Sequence, residues 1–468
     1  IGSTLTSNGG QVSAAQATNG QDLLSLHGLG AQRTLVLLEG NVLPVTNSSG
    51  STDINIVPQT LIRRVDIVEG GASATYGADA VAGVVNFILN TGFRGLEVSV
   101  NGGVTTYGDA ANEHFTVAYG TGFADDRGLV IASADYFHEE GIGLPPTGRS
   151  WDDNAWGAYP NPVRGALPAV VVVPNVRSSD GTYGGLITSG PLDGMQFGPG
   201  GVLEPFDPGT EVGPNFSSGG DGAYVVNGIS PTENRQSYFV HAEYELNHRL
   251  TLITEGMYDS SGTASIGAPP FEVGSRFQFT IFNNNAYLPS AVQQMFAQNP
   301  TVTSFTMGRY SSDLTPIINN DLTRMGRAMV GLKGDLVGRW SFDTHLIFSR
   351  AEQDLAQTDT INRNLYAAAD AVVDSATEQV VCRSTLEGLD PGCVPVNLFG
   401  PDSITPQAAA YIEGWQYGDL SINQTAFNAN FRGDLGDTVR LPAGRISAAL
   451  GAAYQQNQAI RSADPLSY

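Results

Sequence analysis

The chain has little of what catalytic and nucleic-acid-binding sites are usually built from. It holds two cysteines and six histidines in 468 residues, and only 15% of its positions are charged. Cys382 and Cys393 have no further Cys or His at a spacing that would complete a zinc site. The histidines, His27, His114, His138, His241, His248 and His345, are scattered. There is no G-x-S-x-G elbow and no H-E-x-x-H helix, so no catalytic residue, metal set or enzymatic activity is expected. His138-Glu139-Glu140 closes a strand, where neighbouring side chains point to opposite faces, and it reads as a polar rim. Lys and Arg number 23 against 46 Asp and Glu, a net charge of −23. Without clustered cations to neutralise phosphates, nucleic acid is excluded as a partner. Gly70-Gly71 is followed by neither the Lys-Ser/Thr of a P-loop nor a G-x-G-x-x-G spacing, which removes nucleotide binding and leaves no cofactor expected. No apolar run reaches about 18 residues, so no helix crosses a membrane. Closed barrels also satisfy every backbone group in lipid, so a membrane remains open.

What is present falls into two parts. Residues 61–95 form a dense unit of small and apolar residues. The stretch 61–68 reads as a strand, Gly70-Gly71 breaks it, 72–82 suits a short helix, and 84–89 is β-branched and aromatic like a buried strand. So many Gly and Ala side chains imply close backbone packing or confinement inside something else. From Gly95 the pattern changes to period two. Leu96, Val98 and Val100 alternate with polar residues, and so do Phe115, Val117 and Tyr119. A third strand is expected over 127–139. In a fourth, Tyr238, Val240, Ala242, Tyr244 and Leu246 oppose Ser237, Phe239, His241, Glu243 and Glu245, the last three reading as the wall of a watery lumen. The alternation recurs near 250–260, 322–336, 339–352, 424–434 and 444–460, giving nine strands of about ten residues. In the seventh, Trp340, Phe342, Leu346 and Phe348 share a face.

Period two also arises in a soluble sandwich, where one face packs on a core. The connections separate the two. Short turns are expected at 124–126, 247–248, Gly338 and about 435–443. Long connections fall at about 140–235, 261–321 and 353–423. Short turns at one end and long loops at the other is the pattern of an outer-membrane barrel, and tilted strands of about ten residues match its apolar band. Tyr107, Phe123, Tyr136, Tyr258 and Trp340 are candidates for its aromatic girdles. Loops this long usually carry function. Trp151, Asp152, Asp153 and Trp156 are candidate substrate contacts in the first, as a set that suits a sugar or a chelated cation. Asn283 to Pro289 followed by 291–298 reads as a turn and a short helix.

Three ordered blocks carry a family resemblance. The run 70–86, GGASATYGADAVAGVVN, looks like the plug signature of TonB-dependent outer-membrane receptors. Leu26 to Gly30 and Arg33 to Gly40 resemble an earlier plug segment, with His27 where Arg is usual and Glu39 in place of Asp. Asp53 to Pro58 resembles a third. The positions that carry the signature are Arg33, Gly40, Pro58, Arg64, Gly70, Gly71, Ser73, Tyr76, Gly77, Gly83 and Asn86. The resemblance implies an incomplete transmembrane antiparallel β-barrel with a small α+β plug domain in its lumen, located in the outer membrane of a Gram-negative bacterium. The implied domains are a plug over 1–94 and the first part of the barrel over 95–468. The polar loop 47–52 would then face outward, with Asn47, Ser48, Ser49 and Asp53 as candidate substrate contacts. The third long loop would lie in an oxidising space, where a disulfide between Cys382 and Cys393 is the natural reading, unpaired thiols the other, and its closure adds roughly 2–3 kcal/mol.

The implied activity is uptake of a scarce nutrient, a siderophore, glycan or similar. It would be energised by a TonB-type coupling protein whose contact region lies outside this chain, with outer-membrane lipid as the other partner. No covalent chemistry is required. Nine strands against roughly 22 in a plugged transporter suggest a fragment. No signal peptide or coupling box is visible, which points to a start inside the plug. Two other readings are a secreted β-rich carbohydrate-binding or hydrolytic protein and a signal-transducing surface receptor.

Overall fold

The computed structural model describes residues 20–464 apart from 162, 164–166, 225, 337–338, 435–439 and 442–443. The turn expected at Gly338, and most of that at about 435–443, lie outside the described residues. Four short strands come first: β1 (Thr34–Leu38), β2 (Asn41–Val42), β3 (Ile62–Glu69) and β4 (Gly83–Leu89). They form one sheet in the order β2-β1-β4-β3, with β1 and β4 parallel and β3 antiparallel to β4. The central strands β1 and β4 are the buried ones, as their Val, Leu, Ile and Phe content requires. Between β3 and β4 the small-residue run makes one short helix, Ser73–Tyr76, and a 3-10 turn, Ala78–Ala80. Gly83 enters β4 at φ 143, and a Cβ there would meet the Val68 carbonyl at 2.4 Å, so no other residue fits.

Nine strands follow: β5 (Gly95–Gly103), β6 (Asn112–Phe123), β7 (Gly128–Glu139), β8 (Thr232–Asn247), β9 (Leu250–Ile266), β10 (Ile318–Asp335), β11 (Ser341–Thr360), β12 (Glu413–Asp434) and β13 (Ser447–Ala463). Each pairs antiparallel with the next in one nine-stranded sheet, with β5 and β13 as its described edges. The turn from β6 to β7 is tight, with Ala124, Asp125 and Asp126 all at positive φ, and β8 returns into β9 through His248-Arg249. The long connections all leave from the other end.

The two faces of this sheet settle what the alternation means. Tyr238 is 49% exposed while Phe239 beside it is 5% exposed, and Phe348 is 50% exposed beside Ile347 at 0%. Val240, Tyr258, Val330, Leu346, Phe427 and Tyr454 are likewise exposed. Their opposite face is covered by the N-terminal unit: Leu26, Val36, Leu38, Leu43, Ile56, Val57, Leu61, Val85, Phe87 and Leu89 share a core with Ala118, Ile131, Phe239, Met257, Met325, Ala351, Leu420 and Ile422 of the wall. A sandwich would bury one face of the sheet on a second sheet of similar size. Here a small α+β unit fills the concave side and the greasy side faces out, which is the arrangement of a barrel wall with a plug in its bore. No described helix is long and apolar enough to cross a membrane.

Two expectations are corrected. The last wall strands are far longer than ten residues, reaching 18 in β10, 20 in β11 and 22 in β12. A tilted strand needs only about 9–11 residues to cross the apolar layer, so their far halves rise beyond it. There the outward residues turn polar, which hides the period, while Ala351, Gln353, Leu355 and Gln357 keep the inward burial. The long connections are accordingly 140–231, 267–317 and 361–412. Nor are they loose loops. They fold into a cap containing a six-stranded sheet and the helices α1 (Ser290–Gln298), α2 (Asn362–Ala369) and α3 (Pro406–Ile412). Cys382 and Cys393 are disulfide-bonded within it.

Candidate functional site at the plug and its wall

The plug spans the bore, and its two ends are built differently. At the end facing the long connections, the loop 46–53 is wound on Asn47. Its Oδ1 accepts from the Ser49 and Ser51 amides, each at 3.1 Å, and from the Ser49 hydroxyl at 2.6 Å, while its Nδ2 donates to Gln21 Oε1 at 2.9 Å. Asp53 Oδ1 accepts from the Asp22 and Asn55 amides, both at 3.0 Å. Burial pushes the Asp53 carboxyl up to about 8 against those backbone donors. Asn47 and Asp53 are therefore buried scaffold, a correction to their reading as contacts, and the exposed tip is Ser48, Ser49 and Gly50. In the first long connection Trp151 and Trp156 are about half exposed. Asp152 is buried and accepts from the Thr147 hydroxyl at 2.8 Å, which also corrects its reading as a contact, and Asp153 accepts from the Thr147 amide at 2.7 Å. The two groups of candidates sit on separate units, each held within its own loop.

At the end facing the short turns, Gly40 at φ 76 closes the β1–β2 turn, and its amide donates to Asn86 Oδ1 at 2.9 Å. The Glu39 carboxylate accepts from the Leu89 amide, so Glu39 and Asn86 together tie β1 to β4. Burial raises the Glu39 carboxyl above its ordinary range, with the Leu89 amide opposing. Asn41 accepts from Asn428 Nδ2 of the wall at 3.1 Å, and Val42 packs on Ile253, Met329, Ile347 and Ala426. A cavity of about 1340 Å³ lies beside this contact, lined by Glu39, Asn41, His241, Glu255 and Lys333 among others.

Of the other signature positions, Arg33 donates to the Leu29 carbonyl at 2.7 Å and Arg64 to Asp66 at 3.0 Å. Pro58 precedes the 3-10 turn Gln59–Leu61. Gly70 and Gly77 take φ 90 and 88 at the two ends of the segment holding Ser73 and Gly71, and Tyr76 is exposed.

The wall carries an ionic cluster that the sequence reading missed. Arg327 and Glu255 are paired with both side chains almost fully buried. The His241 ring lies 3.5 Å from Glu243 and 3.6 Å from Glu255, and Lys333 holds Glu243 at 2.8 Å. His241 is thus largely buried within this cluster while its ring and Glu243 line the cavity, and Glu245 is exposed. A second missed group joins the β5–β6 connection to the cap: Arg149 forks onto Asp109 at 2.7 and 2.8 Å with its guanidinium 4.3 Å from the Tyr107 ring. Tyr107 is therefore part of that clasp. No signal near Arg149 could have found it, because its partner lies 40 residues away.

Residues 3–84 match the family model of the TonB-dependent Receptor Plug Domain. Among solved structures, the siderophore receptor PiuA of Acinetobacter baumannii is 13% identical, with a TM-score of 0.33, over 97% of this chain and 58% of that one. A ferric enterobactin receptor variant of Pseudomonas aeruginosa, in complex with enterobactin, is 12% identical, with a TM-score of 0.37, over 93% and 51%. The ferric yersiniabactin uptake receptor FyuA of Yersinia pestis is 9% identical, with a TM-score of 0.33, over 92% and 53%. The chain spans about half the length of the solved structures it matches. Residues 3–84 are thus similar to the plug domain of TonB-dependent receptors, and the described part of that stretch is seated on the inner face of the nine-stranded wall.

Proposed function

We propose that this chain is part of an outer-membrane transporter that takes up a scarce nutrient and is energised through a TonB-type coupling protein. In this reading residues 1–94 act as the gate and 95–468 as the first part of the pore, in the outer membrane of a Gram-negative bacterium. The observation that carries it is the plug's position: an apolar core holds it against the wall, and its exposed residues Ser48, Ser49 and Gly50 belong to the loop 46–53. Ser48, Ser49, Trp151 and Trp156 are proposed as first contacts for substrate, because they are exposed residues of polar and indole character. Siderophore receptors among the similar folds make a chelated cation one reasonable cargo, and a glycan the other, since indole faces suit sugar rings.

The mechanism needs no bond chemistry. Substrate held at the tip would bias the plug, and force applied from the inner side would shear the Asn41–Asn428 and Val42 contacts, opening the neighbouring cavity toward the periplasm. The test is uptake by a deletion strain carrying the full-length gene, with and without its coupling protein. The reading expects accumulation of one labelled nutrient that is lost in both deletions. Uptake that persists without the coupling protein would sink it.

A further inference from the structure

The three long connections are tied to one another in a closed ring. The first meets the second where Leu186–Ile187 pairs antiparallel with the strand Ser304–Tyr310. The second meets the third where the Ala286 amide donates to the Ala371 carbonyl and Asn285 Nδ2 to the Ala369 carbonyl, both at 2.8 Å. The third returns to the first where the Gly400 amide donates to the Gly184 carbonyl at 2.9 Å. One apolar core runs through all three: Ile187 and Phe197 from the first, Phe279, Val292, Phe305 and Met307 from the second, Leu365, Leu398 and Phe399 from the third. Phe197 and Phe399 meet edge to face at 4.9 Å between centroids.

Arg309 sits where the three meet, with its side chain fully buried. Its guanidinium donates to Asp313 at 2.8 Å and Ser311 at 2.6 Å within the second connection, and to the Gly400 carbonyl at 3.3 Å and Ser403 at 3.4 Å in the third. Asp313 in turn accepts from the Ile404 amide at 3.0 Å. The Arg309 backbone bridges Thr182 of the first. A buried guanidinium stripped of these acceptors is costly, so the three segments stay in place together or release together.

We propose that the cap is a single cooperative unit with Arg309 as its positioning residue, so that the three outer connections order and open as one body and contact with substrate at any one of them is felt by the other two. Connections of independent loops would instead open one at a time, at the low-stability end of the molecule.

The test is amide hydrogen exchange of the full-length protein in lipid nanodiscs, comparing wild type with Arg309→Met and, separately, Phe197→Ala. These substitutions lie on different connections and break different contacts. Both are expected to raise exchange about tenfold or more in segments 184–187, 304–309 and 398–404 together, leaving plug segments 34–42 and 83–89 unchanged. Should Arg309→Met fail to assemble, Ser403→Ala weakens the same knot and is expected to give the same pattern at smaller amplitude. A rise confined to the connection that carries the substitution, or one that spreads equally to the plug, overturns the proposal.

Discussion

Glu272 lies directly across the cap sheet from Arg309, buried, with no hydrogen-bond partner for its Oε2 among the described residues. Burial pushes its carboxyl up to about 8, the Asp359 charge adds to the push, and the Arg309 guanidinium opposes it. A carboxyl raised this way holds a proton in the folded cap that the unfolded segment has already released. This contribution to the cap's stability is full below about 4.5, falls as pH rises from there towards 8, and is gone above about 8. Glu272→Gln should flatten the dependence and protect the cap at neutral pH, as read by hydrogen exchange of the 271–310 segment against pH. In the wall, Arg327→Met strands the buried Glu255 charge and should cost about 3–5 kcal/mol, whereas the pair Arg327→Met with Glu255→Leu should recover most of it. Denaturant titration of the folded wall distinguishes the two. At this scale the sequence was least legible. Asn47 in the polar loop and Asp53 at the start of a signature block were visible as candidate contacts, but whether their oxygens face substrate or their own backbone depends on loop closure that composition does not encode. Arg327 and Arg149 find their acceptors 72 and 40 residues away, and Arg309 reaches past its near neighbours Ser311 and Asp313 to Gly400 and Ser403, so no local pattern announces these ties.

β8 shows what alternation does and does not reveal. Tyr238, Val240 and Leu246 are the exposed face, and they were readable as such because Tyr238, Val240, Ala242, Tyr244 and Leu246 keep an apolar period of two against a mostly polar opposite face. A charge there meets hydrocarbon: Val240→Arg should destabilise the wall by about 2–4 kcal/mol, while Ser237→Ala on the inner face should leave folding nearly unchanged apart from its bond to Asp259. Heat-dependent gel mobility of the folded form checks both. The upper halves of β10, β11 and β12 escaped the sequence reading for a physical reason. Above the lipid the outer face is wet, so Asn320, Arg324, Asp354 and Thr358 are as acceptable there as valine is below, and only the inner burial keeps a period of two. Helix α1 was legible from Pro289 and its apolar positions Val292, Met295 and Phe296, all three of which are buried in the cap core.

The plug and the wall depend on each other across the whole molecule. The plug's own strands are too short and too few to bury Val36, Leu38, Val85 and Phe87 alone, and the wall's inward Phe239, Met257 and Met325 would meet water without them. The signature blocks identified the plug, and the alternation identified the wall. That the outer connections fold into a third body was not legible, because its core assembles from residues up to 225 positions apart, Ile187 and Ile412 among them. The central claim is that the sheet faces lipid on one side and plug on the other. Spin labels placed singly at positions 240 and 348, and at positions 239 and 347, in the full-length protein reconstituted in liposomes test it directly, through their accessibility to oxygen and to a water-soluble nickel chelate. The account predicts high oxygen and low nickel accessibility at 240 and 348, with both low at 239 and 347. High nickel accessibility at 240 and 348 would contradict it.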